Sequence, residues 1–299
     1  MAWSEFIMNH ESTIRLSFFL GILTIMGLWE WFKPARKPSV AKPVRWFNNL
    51  GIVFLDTFLL RILFPAAAVG LAALADQQNA GLLNHFELPL LWSVLLAVVL
   101  LDLVIYLQHV MFHAVPLLWR LHQVHHADLD YDVTTGTRFH PIEIIISMGI
   151  KAGAIFLIGP PVVAVVIFEI VLNACAMFNH GNVRLPLGVD KIIRAILVTP
   201  DMHRVHHSTI INEANSNFGF SLSVWDRIFG TYKAQPQLGH LDMEIGVSYA
   251  RDAKQVAWLP GMLWMPFKKN KGRYDVSHRA PDKSAPAQTT ATKTASTVE

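Results

Sequence analysis

Charge is scarce in this chain: only 16% of its 299 residues are Asp, Glu, Lys or Arg, against roughly 25% in an ordinary soluble protein. Cysteine is nearly absent. The one cysteine, Cys175, lies in an apolar run, which excludes a disulfide framework, a cysteine metal site and an iron–sulfur cluster. No His-Glu-x-x-His stretch occurs, so the metalloprotease signature is missing, and no solenoid-type repeat appears. The net charge is only +3, and no nucleic-acid partner is expected.

What is present is apolar. Hydrophobic residues make up 53%, with nine Trp and eighteen Phe, and mean hydropathy is +0.36. Apolar runs approach the ~20 residues a bilayer crossing needs at 14–32, at 50–75 (interrupted by Asp56 and Arg61) and at 88–107. Two shorter runs, 142–158 and 162–178, flank Gly159-Pro160-Pro161, a turn signal; they read as a hairpin that either crosses or dips in. The N-terminus lacks a basic segment and a small-residue cleavage site, so the first run reads as a retained span.

Lys33, Arg36, Lys37, Lys42 and Arg45 lie between the first two runs with no acid among them, whereas 76–87 carries Asp76 and Glu87 and no Lys or Arg. By the positive-inside rule the first loop is cytoplasmic and the second is not. Residues 108–141 then fall in the cytoplasm, as does everything from His180 onward, including Lys268, Lys269, Lys271, Arg273 and the C-terminus. The expected fold is all-α: an integral membrane helical bundle with a cytoplasmic helical cap. The expected organisation is a membrane-spanning region over 1–94, a central domain over 95–235, a cytoplasmic extension over 236–280, and a disordered Ala/Thr/Ser/Pro-rich tail over 281–299.

Nine of the fourteen histidines fall into four short groups. His109 and His113 are spaced i,i+4. His122, His125 and His126 form H-x-x-H-H after Pro116, a plausible first helical residue. His180 stands in FNHGN, and His203, His206 and His207 repeat H-x-x-H-H after Asp201, a candidate helix cap. On a helix, i, i+3 and i+4 share a face, so each triplet is expected to aim three imidazoles at one point. Imidazole is the commonest neutral metal ligand, and nine of them suit two ions better than one tetrahedral ion. Iron, copper, zinc and nickel all accept such donors. Asp102, on the stripe of His109, is a candidate outer-shell partner holding the second nitrogen of a ligand histidine. His140 in RFHP reads as structural or outer-shell; His10, His85, His240 and His278 have no company at ligand spacing and read as ordinary.

HVMFH, HQVHH, FNHGN and HRVHH, in this order and flanked by TTGTRFHPIE and NFGFSLSVWDRIFGTY, resemble the fatty acid hydroxylase superfamily, also called the sterol desaturase family, over about 95–235. The resemblance implies a membrane-bound non-haem di-iron oxidoreductase with its iron ions (Fe2+/Fe3+) held at the cytoplasmic face by His109, His113, His122, His125, His126, His180, His203, His206 and His207. It implies use of O2 and two electrons to hydroxylate or desaturate a sterol-like, isoprenoid or fatty acyl lipid. In the fatty acid 2-hydroxylase branch the third group is itself H-x-x-x-H; here Arg184 stands four residues after His180, which favours the broader sterol desaturase-like group. No cytochrome b5 or ferredoxin segment is fused, so electrons are expected from a separate donor of that kind. The bacterial inner membrane is the expected location, or the endoplasmic reticulum in a eukaryote. The competing reading is a non-catalytic metal-binding or transport protein, which should place its ligands near the bilayer midplane.

Overall fold

The computed structural model describes residues 2–268; His278, the basic residues 269–273 and the tail expected to be disordered lie outside them. Fifteen α-helices follow one another. They are α1 (Ala2–Asn9), α2 (Glu11–Phe32), α3 (Lys42–Leu63), α4 (Ala67–Gln77), α5 (Leu90–Ala114), α6 (Pro116–His126), α7 (Pro141–Ile158) and α8 (Val162–Asn179), then the short α9 (Leu187–Ile193), α10 (Pro200–His206), α11 (Ile211–Ala214), α12 (Val224–Ile228), α13 (Gly239–Asp242), α14 (Ala253–Val256) and α15 (Leu259–Trp264). Among the described residues β-structure is limited to isolated bridges, Leu197–Leu222 and Ser208–Ile245. Five stretches are long and apolar enough to cross a membrane, so the chain is a multi-pass, all-α membrane protein.

The second stretch is interrupted. Phe64-Pro65-Ala66 separates α3 from α4, because Pro65 lacks an amide donor. Beyond the break Ala68, Ala72 and Ala75 are fully buried among Leu101, Ile155, Val165 and Phe168; small side chains let α4 approach α7 and α8 closely. The hairpin turns where the sequence predicted. Gly159 takes φ +65° and meets Gly81, φ +96°, so tightly that a Cβ on Gly81 would stand 2.2 Å from the Gly159 amide nitrogen. Both positions require glycine. Loop 78–85 and the hairpin turn thus share one end of the bundle, opposite the histidines.

The other end is a helical cap held by buried charge. Arg45 is not a solvated loop residue, as its place in the basic cluster suggested. It lies inside α3, is 1% exposed, and donates from Nε and Nη2 to Asp128 at 2.9 and 2.6 Å and from Nη1 to Asp132. Desolvating these groups is tolerable because each charge is paired, and the neighbouring Arg45 and Arg138 guanidiniums hold the Asp128 carboxyl below the usual carboxylate range against its burial. Glu30, at the end of α2, accepts from the amides of Val133 and Asn182 at 2.7 and 2.9 Å. Residues 245–267 fold back on the cap: Val247, Val256, Met262 and Met265 pack with Ile52, Trp119 and Val124.

Candidate metal centre

Four elements deliver the nine histidines. His109 and His113 project from α5. Pro116 is the first residue of α6, as expected, and that helix carries His122, His125 and His126. His180 caps the C-terminus of α8, and α10 brings His203 and His206 with His207 at its C-cap. The N-cap of α10 is Thr199, whose hydroxyl accepts from the Met202 amide. Asp201 is instead inside the helix, bonded to Arg204 at 2.6 Å. The Arg204 guanidinium also reaches the Val183 carbonyl at 2.9 Å, fixing α10 against the segment after His180.

The histidines form two groups, His109, His113, His122, His126 and His206 in one, and His125, His180, His203 and His207 in the other; within each, one nitrogen per residue lies within 4.8 Å of the others. Neither triplet converges on one point, contrary to the sequence expectation. In α6 the i and i+4 residues join the first group and i+3 joins the second; in α10 the assignment is reversed. Helix geometry explains the split: i and i+4 differ by about 40° around the axis, whereas i+3 and i+4 differ by about 100°. The two short helices exchange partners crosswise.

All nine side chains are buried, and the Nε2 atoms of eight meet at 3.0–3.2 Å: His206 with His109, His113 with His126, and His180 with His125, His203 and His207. Nitrogens about 2.1 Å from a common ion stand roughly 3.0–3.4 Å apart, so this spacing fits imidazoles around a cation. Five of the opposite nitrogens are committed elsewhere, whereas Nδ1 of His125, His203 and His207 is buried without a hydrogen-bond partner. His109, His206 and His180 have Nδ1 on the carbonyls of Phe218, Ser216 and Ala176 at 2.8, 2.7 and 2.7 Å. His113 Nδ1 faces Asn215 Oδ1 at 3.2 Å, and His122 Nδ1 meets Glu143 Oε1 at 2.6 Å. Each acceptor fixes the proton on Nδ1 and leaves the Nε2 lone pair facing inward. His122 Nε2 is buried with no hydrogen-bond partner. Burial pushes the His122 and His180 imidazoles down to about 3; burial and then neighbouring imidazoles hold His125, His126, His203, His206 and His207 well below the ordinary value. The donor set is neutral and buried, and five of its nine imidazoles are oriented by an acceptor behind them.

Asp102 does not hold a histidine. Its Oδ2 accepts from the Leu222 amide at 3.2 Å and Trp225 Nε1 at 2.9 Å. The carboxylate behind a histidine is Glu143, in the first turn of α7, three residues after His140; the signal was present in the quoted RFHPIE. His140 is structural: Nδ1 accepts from the Ile142 amide and Nε2 lies 3.2 Å from the Leu263 carbonyl. Arg184 pairs with Asp201 at 3.4 Å. His10 stacks on Phe6, and neither it, His85 nor His240 is in either group. Phe139, which the sequence did not single out, stacks on His125 at 4.5 Å. Gly136 permits a close approach beside His180: a Cβ there would lie 2.4 Å from the Ala176 carbonyl oxygen and 3.0 Å from His180 Nδ1.

The model of the fatty acid hydroxylase family matches residues 94–231. Ornithine lipid hydroxylase OlsE of Rhizobium tropici is 27% identical over 271 residues, covering 88% of this chain and 78% of that protein. Human alkylglycerol monooxygenase is 33% identical over 145 residues, 48% of this chain and 31% of that protein; the Xenopus tropicalis protein is 35% identical over 142 residues, 47% and 30%. The match thus spans about a third of the alkylglycerol monooxygenases. No solved structure gives a significant match.

Proposed function

Because this chain is a member of the fatty acid hydroxylase superfamily, an oxygen-dependent oxidoreductase of membrane lipids, we propose that it hydroxylates an intact polar lipid at a di-iron centre. One ion is held by His109, His113, His122, His126 and His206, and the other by His125, His180, His203 and His207. The observation that carries this reading is the pairing of two all-imidazole groups, buried and with inward-facing Nε2 atoms, in a chain of this family. Bound iron supplies the activation of O2 needed to attack an unactivated C–H bond.

The chain's own residues do the rest. Glu143, Asn215 and the carbonyls of Ala176, Ser216 and Phe218 fix the imidazole orientations. Phe139, Phe218 and Phe220 surround the histidines with rings (Phe220 lies 5.7 Å from His109) and limit water at the site. The groups sit at the ends of α5 and α8, so the carbon they reach belongs to a chain near its head group. The names of the relatives, an ornithine lipid hydroxylase and an alkylglycerol monooxygenase, favour hydroxylation and a substrate with a polar head. Electrons come from a separate ferredoxin- or cytochrome b5-like donor. The catalytic unit corresponds to residues 95–235. Lys33, Arg36, Lys37 and Lys42 lie at the histidine end, which supports a cytoplasmic orientation in a bacterial inner membrane, or in the endoplasmic reticulum of a eukaryote.

Lipid mass spectrometry of cells with and without the gene tests the activity: a polar lipid gaining one oxygen is expected, and an unchanged lipidome together with purified protein that takes up no iron would overturn the reading. Thiol labelling of Asn79→Cys from outside intact cells, with Lys254→Cys protected, tests the orientation.

A further inference from the structure

Segments 187–198 and 218–231 form one compact unit beside α5. Val198 N donates to Ser221 O at 2.9 Å, Ser223 N to Ile196 O at 2.8 Å, and Arg227 Nη2 to Arg194 O at 2.9 Å. Its position is set by two residues of α5. Asp102, the middle residue of that helix, accepts from Leu222 and Trp225. Tyr106 stacks on Phe229 with centroids 5.3 Å apart and meets Thr231 Oγ1 at 2.8 Å. Helix α5 is about 37 Å long at 1.5 Å per residue, against a hydrocarbon core of about 30 Å. A contact at its midpoint lies below the bilayer surface wherever the surface is drawn.

The outward face of the unit is apolar. Leu187 is 69% exposed, Ile192 76%, Ile196 60%, Ile228 66% and Phe229 51%. Charge is sorted to match. Both acids are buried and paired, Asp190 with Arg194 at 2.7 Å and Asp226 with the Phe218 and Gly219 amides at 2.7 and 2.9 Å. The exposed charges of α9 and α12 are Lys191 and Arg227; the Arg227 guanidinium is held by Ser223 and Arg194, and the long stem of Lys191 can reach head groups from an apolar surface. Leu107 of α5, the residue after Tyr106, is also exposed, at 49%.

We propose that 187–198 and 218–231 form a re-entrant insert in the membrane leaflet bordering the metal centre, with α9 and α12 in contact with acyl chains and Lys191 at anionic head groups. The cap is therefore not wholly aqueous: one flank of it is solvated by lipid. The inference rests on the spanning role of α5 and is independent of the metal and the reaction.

The test uses full-length protein with Cys175→Ser, carrying single cysteines labelled with an environment-sensitive fluorophore and reconstituted in phosphatidylcholine–phosphatidylglycerol vesicles. Ile192→Cys, Ile196→Cys and Ile228→Cys report on the insert, Leu107→Cys on the lipid-facing surface and Lys254→Cys on the aqueous surface. Nitroxide lipids are expected to remove most of the fluorescence at the three insert positions, as at Leu107, while aqueous iodide leaves it intact. Iodide quenching like that at Lys254 would overturn the proposal. Protection from both quenchers would also overturn it, in favour of a covering protein such as a second copy. Three positions are probed so that a single misfolded variant decides nothing.

Discussion

Glu143 Oε1 and His122 Nδ1 are 2.6 Å apart, both buried, across the junction of α6 and α7. The carboxylate orients the imidazole and raises its basicity toward a cation. Glu143→Gln keeps an acceptor at that place and Glu143→Ala removes it. Iron affinity and turnover should fall about 10–100-fold in Glu143→Ala, the usual effect of losing such a partner, and less in Glu143→Gln. Equal affinity in all three proteins, measured by iron titration, would show that the contact is only packing.

The division of the triplets predicts which ion each histidine controls. His206→Ala should lose the ion of the first group and His125→Ala that of the second, each retaining one iron per chain; the double variant should retain none. Turnover should be abolished in both single variants, while His85→Ala stays near wild type. Metal analysis beside the lipid assay checks this, and full activity in His206→Ala would remove the histidine groups from the reaction.

Gly136→Ala places a methyl group against the Ala176 carbonyl and His180 Nδ1. Both are anchored by α8, so the imidazole must shift. Loss of iron from the second group, with the first retained, is the expected result.

Arg45→Ala would leave Asp132 buried without its cation and Asp128 with only Arg138, at 3.4 Å. Breaking a buried pair from one side costs about 3–5 kcal/mol, so the cap should unfold at markedly lower temperature in detergent. The double variant Arg45→Met, Asp128→Leu should recover part of the loss.

The neutral imidazoles set a pH dependence. His122 and His180 titrate near 3 in the folded chain against about 6.5 when unfolded. Between those values the unfolded chain binds protons that the folded chain does not, so the metal-free fold should lose stability steadily as pH falls from 6.5 toward 3. Above 6.5 this contribution is fully present and flat. Melting of metal-free protein from pH 8 to 5 checks the sign; a melting temperature that rises on acidification would contradict it.

Much of this was legible in the chain. Nine clustered histidines in a chain with one cysteine and little charge point to imidazole metal chemistry at the end of apolar helices, and Gly-Pro-Pro marks the hairpin turn. What spacing could not supply was partnership. The one-residue difference between i+3 and i+4 looks minor in sequence, yet it decides which group His125 and His206 join. Asp102 shares a stripe with His109, but Trp225 and Leu222, more than a hundred residues later, claim its carboxylate. Arg45 reads as one more topogenic cation until Asp128 and Asp132 fold over it. Nothing in 218–231 signals that it packs at mid-depth on α5, because its neighbours there are distant in the chain.

The crosswise exchange between α6 and α10 also bears on how the centre fills. Each helix holds a share of both proposed ions, so neither position can close without drawing in the helix that shapes the other. The first ion bound would spend part of its binding energy ordering ligands that the second finds already in place, and the second would bind more tightly. Half-filled protein should therefore be sparse at intermediate iron, and a titration should show empty and doubly filled chains exchanging with a sigmoidal profile. In the wild-type chain the singly filled form would be suppressed by the wiring of two short helices alone, whereas a variant that has lost one position would hold its remaining ion more weakly.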